Sequence, residues 1–484
     1  MHRPKHRSAT PFDLLLHIGA GLALLAGLSL ASAAGLPPGV SLALDNARIP
    51  TDAVSIWTQA VDAHQPTLSL NANRPLNPAS TMKLVTAFAA FDRLGPAFTW
   101  QTRIATRGEL DHGVLRGDLH LLGGADPVFD EERLRRLLRR LRGLGIYRVA
   151  GDIVLDGSVL TLPPHDPQAF DGRGLRPYNA GPYGLLMHYN TLQLGLFPAG
   201  DAHAPVTVIA EPPLAGLVID NRLLTSQTTC EVWYRDLDAR LEPGPRLVLT
   251  GSLPASCGPR NWSAAPLAPP DYAIALVRAL WSELGGSVDG AVRNGVTPAD
   301  AIVRLADDSR PLADVVRDMN KWSSNLIARQ LLATLGMQQA DAADAVQGGI
   351  LVARAQLAAA GIDTSGLVIE NGAGLSRSER IRADSMGALL LAAWRRPWMP
   401  EFISALPLAG VDGTARKRLN GSPANGQAHI KTGTLNGVRA MAGYLLDRNS
   451  RRHVVVMIVN HPEAAASQAA QDALLEWLWA APPP

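Results

Sequence analysis

The chain has 484 residues, of which 47% are apolar and 18% charged, with a formal net charge of +2. That composition suits a globular chain with a substantial core and excludes a largely disordered one; at about 150 residues per domain, the length suggests about three domains, or two with a large insertion. The near-neutral balance argues against a nucleic-acid binder, which normally shows a strongly basic surface, and the lack of a long apolar run beyond residue 34 excludes a multi-span membrane protein.

Residues 2–7 are basic, residues 18–30 form an apolar stretch broken by glycines, and Ala31-Ser32-Ala33 is a small-x-small site. This is the layout of a secretory signal peptide, so residues 1–33 are read as removed on export. An uncleaved anchor is the alternative; Asp13, His17 and the Ala-Ser-Ala exit favour cleavage. Residues 40–70 read as short alternating segments, with Val54 to Trp57 suited to a strand. From Ser80 to Leu94 the pattern is apolar almost all round, which predicts a buried helix ended by Gly95-Pro96.

Residues 97–290 are rich in Gly, Pro and short strand-like runs. One helix stands out at 131–142, with a leucine stripe and two glutamates at its start. Its arginines admit a peripheral membrane contact or the solvated face of a docked helix; the nearby acidic residues and the short stripe favour the second. Residues 196–265 carry both cysteines, Cys230 and Cys257, and read as a nested β-rich subdomain. An exported chain would join them in a disulfide; two buried thiols are the alternative. No Cys/His metal spacing occurs, so neither a metal nor another cofactor is expected. Helical spacing returns at 274–284, 312–335, 342–360 and 386–394. Strands follow at 429–435 and 438–446, joined by the hairpin turn Asn436-Gly437, and at 454–459, before a last helix at 464–479. The order implies an α+β fold, with helices against an antiparallel sheet.

Lysine is nearly absent: Lys5, Lys83, Lys321, Lys417 and Lys431 stand against forty arginines. Lysine can shed its proton when buried, whereas arginine effectively cannot, so the surviving lysines are suspects for proton transfer. Ser80 and Lys83, three residues apart on a helix, share one face. A serine hydroxyl needs a base beside it, and a desolvated lysine can supply one. In Lys321-Trp322-Ser323-Ser324-Asn325, Ser323 could relay a proton and Asn325 could hold a carbonyl or the lysine. In Lys431-Thr432-Gly433-Thr434, the lysine offers a fixed charge, the threonines hydroxyls, and Gly433 room for a substrate backbone. Alone, each has a plain reading: a solvated N-cap serine, a helix cap, an edge strand with a bulge glycine. Together and in this order they point to one site.

Ser-x-x-Lys, Ser-x-Asn and Lys-Thr-Gly occur together in penicillin-binding proteins and related β-lactamases. The chain resembles the class C low-molecular-mass penicillin-binding proteins, the D-alanyl-D-alanine carboxypeptidase/endopeptidase family. Further stretches carry the resemblance: 319–326, Gly410 to Thr414, Asn371 to Arg377, and the run from Lys431 through Tyr444. The 239 residues between Lys83 and Ser323 agree with the family's large insertion. Two departures stand out: Ser324 where the family commonly has Asp, and Ala125 where Gly123 to Pro127 resembles a Gly-x-Gly-Asp-Pro stretch.

The resemblance implies a penicillin-binding/serine β-lactamase-like catalytic domain at 34–96 plus 291–484, with an inserted domain at 97–290. It implies serine-type cleavage of peptidoglycan muropeptides, as carboxypeptidase and endopeptidase, in the periplasm, with β-lactams as covalent inhibitors. Ser80 would be the nucleophile, Lys83 its base, Ser323 the proton relay and Asn325 the orienting amide. Lys431, Thr432 and Thr434 would take the terminal carboxylate, and backbone N–H groups of Ser80 and Thr434 would hold the oxyanion. Asp166 is a candidate for an amine on the third stem residue, or else an ordinary loop aspartate. A β-lactamase or esterase on the same scaffold, and an idle wall-binding protein, are the competing readings.

Overall fold

The first strand of the chain pairs with the last. In a five-stranded antiparallel sheet the order is Ala428–Leu435, Val438–Leu446, Arg452–Asn460, Val54–Ala60 and Leu68–Leu70. Every residue of Val54–Ala60 is buried, because helices cover both faces of the sheet centre. Helices Pro38–Asn46 and Gln468–Trp479 pack together beside it, and Ala383–Trp394 lies against Val54–Ala60 and Arg452–Asn460. The computed structural model describes residues 35–339 and 341–480, so the export segment lies outside the described residues.

Helix Lys83–Leu94 is buried from Lys83 through Phe91, and packs against Leu312–Lys321, Asn325–Gly336 and Ala345–Ala359. Its apolar surround explains why no polar stripe appears in its sequence. Gly95 caps it at a φ of 80°, a conformation that costs glycine little. Phe88, Phe91, Trp398 and Phe402 form an aromatic cluster at its end.

The middle of the chain has its own core and three sheets. A seven-stranded sheet is built around Gln101–Asp111 and Val114–Leu122, and two three-stranded sheets follow. Cys230 and Cys257 form a disulfide in this region. The larger sheet also takes Val292–Asn294 and Ile302–Asp308, so it runs past residue 290, where the sequence suggests the insertion ends. Residues from Pro37 onward nonetheless form one compact unit. Among the described residues, no helix is long and apolar enough to cross a membrane.

Three local expectations are corrected. Residues 38–46 are a helix, not alternating strand: Pro38 suits the first turn, and Val40 and Leu44, four apart, are buried together. The first turn at Ser80 is a 3₁₀ turn, Ala79–Met82, with the α-helix starting at Lys83. The spacing over 312–335 belongs to two helices, broken where Ser323 adopts a φ of 57° and Ser324 caps the second by accepting from the Ile327 N–H at 3.3 Å. Serine and aspartate both cap helices, so Ser324 preserves the local role of the commoner residue.

The arginine-rich helix Glu131–Gly143 is docked. Arg133 is buried and bonds Asp126 at 2.5 Å and Asp307 at 2.8 Å, tying the helix to a loop and to an edge strand. Arg135 pairs with Glu131 and Glu283, and Arg136, on the exposed side, reaches Asp307 at 2.9 Å. Removing Arg133 would strand the buried Asp126 carboxylate and leave Asp307 with Arg136 alone, so Arg133→Ala should cost about 3–5 kcal/mol. Arg136→Ala should cost no more than about 1 kcal/mol. Denaturant unfolding of both variants checks this; equal small losses would contradict it.

Candidate active site

Ser80 sits where three segments meet. Ala79 before it is fully buried at a φ of 44°. Glycines on both sides make room: a Cβ at Gly374 would lie 1.9 Å from the Ala79 carbonyl oxygen, and one at Gly433 2.7 Å from the Pro78 oxygen and 2.9 Å from the Ser80 nitrogen. The 371–375 loop and the strand Ala428–Leu435 therefore clamp the backbone that carries the hydroxyl.

Lys83 is fully buried. Its Nζ lies 2.7 Å from Asn325 Oδ1, 2.5 Å from the Ala373 carbonyl oxygen and 3.0 Å from Ser80 Oγ. The first two can only accept. The Asn325 amide is held in that orientation because its Nδ2 donates to the Tyr178 carbonyl at 3.3 Å. An ammonium would donate to all three; a neutral amine donates to the two carbonyl oxygens and turns its lone pair to the Ser80 hydroxyl. Burial, and then the charge of Lys431, hold the Lys83 ammonium well below the usual lysine range, against the opposing pull of Glu379.

Lys431 is also fully buried and donates to Ser323 Oγ at 2.9 Å and to the Thr432 carbonyl at 2.8 Å. Burial brings its pKa down to about 7. The break at Ser323 turns its hydroxyl toward this lysine. Thr432 and Thr434, with Ser80 and Ser323, line an open cavity of about 400 Å³. Ser80, Lys83, Ser323, Asn325, Lys431, Thr432, Gly433 and Thr434 are thus brought together from segments far apart in sequence.

Asp166 lies elsewhere. It is exposed, accepts from the Gln168 N–H at 2.8 Å, and lines a larger cavity of about 740 Å³ with Phe170, Glu370 and Arg377. The loop after Glu370 lines this larger cavity and also offers the Ala373 carbonyl to Lys83.

Several functional groups escaped sequence reasoning. Thr414 Oγ1 lies 2.9 Å from Thr432 Oγ1. Lys321, a suspect on lysine rarity alone, is instead paired with Asp412 at 2.6 Å, on the loop that carries Thr414. Glu379 is fully buried, and its Oε1 accepts from the N–H groups of Glu370, Asn371 and Gly372 at 3.0, 3.0 and 3.1 Å. It fixes the turn that presents Ala373. The resemblance of 371–377 and 410–414 to family stretches was the available signal for these loops. Among the described residues, no cluster of His, Cys, Asp or Glu is arranged to hold a metal.

A model of the D-Ala-D-Ala carboxypeptidase 3 (S13) family matches residues 39–481. The chain belongs to this family. It is 30% identical over 435 residues to the D-alanyl-D-alanine carboxypeptidase of Actinomadura sp. (strain R39), covering 84% of this chain and 77% of that protein. It is 26% identical over 417 residues to D-alanyl-D-alanine carboxypeptidase DacB of Haemophilus influenzae, covering 84% and 85%. The α+β fold is shared with penicillin binding protein 4 (dacB) of H. influenzae, at a TM-score of 0.78 and 24% identity over 91% of this chain and 99% of that one. This S13 enzyme is accordingly a serine-type D-Ala-D-Ala carboxypeptidase, a hydrolase.

The clamp at Gly433 yields a prediction for the S13 enzyme. Gly433→Ala should push the strand off the Ser80 amide and lower the rate of D-alanine release about 100- to 1,000-fold, the scale of a lost oxyanion donor. A rate within about threefold of the parent, measured on protein with unchanged melting behaviour, would contradict the clamp.

Proposed function

We propose that Ser80 forms an acyl-enzyme with peptidoglycan stem peptides. The observation that carries this reading is the fully buried Lys83 amine 3.0 Å from Ser80 Oγ, with two carbonyl oxygens for the N–H groups of its neutral form. Ser80 Oγ attacks the carbonyl carbon between the two terminal D-alanines as its proton passes to Lys83. The oxyanion is held by the N–H groups of Ser80 and Thr434; the Ser80 amide lies in a first helical turn, where such groups lack an intrahelical acceptor. As the C–N bond breaks, Ser323 passes a proton to the leaving amine, and Lys431 favours that transfer. Lys431, Thr432 and Thr434 bind the terminal carboxylate, and Asn325 orients the substrate amide and Lys83. Water then cleaves the ester, and the serine regains its proton.

A cross-link differs only in what carries the leaving amine, so the same site acts as an endopeptidase. A β-lactam opens at its ring C–N bond, keeps its amine tethered, and leaves Ser80 acylated. The H. influenzae protein of the same fold has been solved in complex with a β-lactam. The export-type layout of residues 1–33 supports a periplasmic site for this chemistry.

Intact mass after incubation with benzylpenicillin, followed by peptide mapping, tests the reading. A lasting single adduct on Ser80 is expected, absent in Ser80→Ala, together with loss of D-alanine release and of cross-link cleavage in that variant. Rapid turnover of penicillin without a lasting adduct would favour a β-lactamase, and neither adduct nor turnover an idle binder. The same mass reports whether residues 1–33 have been removed.

Asp166 is assigned to an amine on the third stem residue. Asp166→Asn should lower kcat/KM about tenfold on stems carrying that amine, the scale of one charge-assisted hydrogen bond, and leave D-alanyl-D-alanine peptides without it unchanged. Equal effects on both substrates would remove the assignment.

A further inference from the structure

Asn77, three residues before Ser80, is buried and takes no part in the chemistry above, yet every polar group it has is engaged. Its N–H donates to Asn460 Oδ1 at 2.8 Å, and its carbonyl accepts from Asn460 Nδ2 at 3.0 Å. Its side chain works in both directions: Oδ1 accepts from the Ala79 N–H at 2.9 Å, and Nδ2 donates to the Ser376 carbonyl at 2.9 Å. A backbone N–H can only donate and a carbonyl can only accept, so the amide has one orientation here. Ala79, which it holds, has the left-handed φ of 44° directly before the nucleophile. Alanine keeps such a backbone only where its surroundings fix it.

The Ser376 bond is one rung of a series. Leu76 and Ile381 exchange N–H and C=O at 3.1 and 3.0 Å, Asn77 reaches Ser376, and Gly374 lies against the Ala79 carbonyl. Residues 76–79 and 374–381 thus run side by side in opposite directions. Past the last rung, one segment carries Ser80 and Lys83, and the other carries Ala373, whose carbonyl accepts from Lys83. Asn77 grips both: one end of its amide holds the nucleophile's turn, and the other holds the loop.

We propose that Asn77 is a positioning residue for acyl transfer: it fixes the turn of Ser80 against the loop that presents Ala373, and so sets the approach of Ser80 Oγ to the Lys83 amine and to the substrate carbonyl. This rests on the Ser80 reading above. Alanine at this place would leave the Ala79 N–H and the Ser376 carbonyl without their partner in a buried setting. Serine would keep an acceptor for the N–H two residues on, but its shorter side chain would not reach Ser376.

The test measures D-alanine release from an N-acylated D-alanyl-D-alanine peptide, with active sites counted by intact mass after long exposure to benzylpenicillin. Asn77→Ala should lower kcat per counted site about 10- to 100-fold, the scale of a small misplacement of reacting groups. KM should change by less than about threefold, because Lys431, Thr432 and Thr434 stand on another segment. Acylation by benzylpenicillin should slow by a similar factor and still end in one adduct on Ser80. Asn77→Ser should recover part of kcat. Asn460→Ala keeps both side-chain bonds of Asn77, should give a smaller loss of kcat, and provides a second arm with Asn77→Ser should Asn77→Ala fold poorly. A merely structural role would lower the melting temperature and the number of counted sites and leave kcat per site unchanged. That result, or a loss carried by KM, would overturn the proposal and leave the Ser80 reading standing. A parent enzyme that takes no adduct on Ser80 would overturn both.

Discussion

The site depends on the cost of burying an ammonium group without a counter-ion. Lys83 and Lys431 are both fully enclosed, and among the described residues neither has a carboxylate within ion-pair distance. An unpaired buried charge costs several kcal/mol, and for Lys83 the cheaper state is the one with its proton removed. Lys431, while it carries its proton, adds to that cost for Lys83. The rest of the site serves this constraint: Asn325 and Ala373 accept the two protons a neutral amine keeps, and Ser80 faces the lone pair. Tyr178 fixes the Asn325 amide, and Glu379 fixes the turn that carries Ala373. The Asn325 and Ala373 partners lie 242 and 290 residues from Lys83 in sequence, so the base can exist only after the whole catalytic half has folded.

Much of this was legible because the chain uses so little lysine. In a sequence where arginine supplies nearly every cation, each surviving lysine is a suspect for proton transfer, and Lys83, three residues after Ser80, stands out as the base. Lys321 shows the limit of that argument, since its partner Asp412 gives it a structural task. The apolar helix, the Asn436-Gly437 hairpin and the terminal helix were readable from periodicity and turn chemistry. The helix at 38–46 was not, because its buried face rests on only two residues. The break at Ser323 was hidden because apolar spacing continues across it, although one residue turns left-handed. Thr414 and Glu379 were missed for a common reason: each matters through a neighbour brought close by the tertiary fold, and no local pattern marks that.

The middle of the chain shows how the same arginine bias is accommodated within the fold. Most arginines of helix Glu131–Gly143 have specific partners: carboxylates for Arg133, Arg135 and Arg136, the Ala306 carbonyl for Arg140, and the Tyr147 ring for Arg142. Ala125, at a φ of 63°, stands where the resembling stretch has glycine. Its backbone is held by the Gly184 carbonyl and by Gln330, so the loop keeps its path at some conformational cost. Gln330 belongs to the helix that begins with Asn325, and this contact links the loop of Ala125 to that helix.

The protonation state of Lys83 is the central claim, and it can be read directly. The scarcity of lysine makes a protein labelled with ¹³C at the lysine Cε carbons yield few resonances, and Lys83→Arg assigns the one of interest. The account predicts that the Lys83 signal is that of a neutral amine at neutral pH and titrates well below the ordinary lysine value of 10.5. A Lys83 signal that titrates at that ordinary value would show a protonated lysine beside Ser80 and would contradict the account.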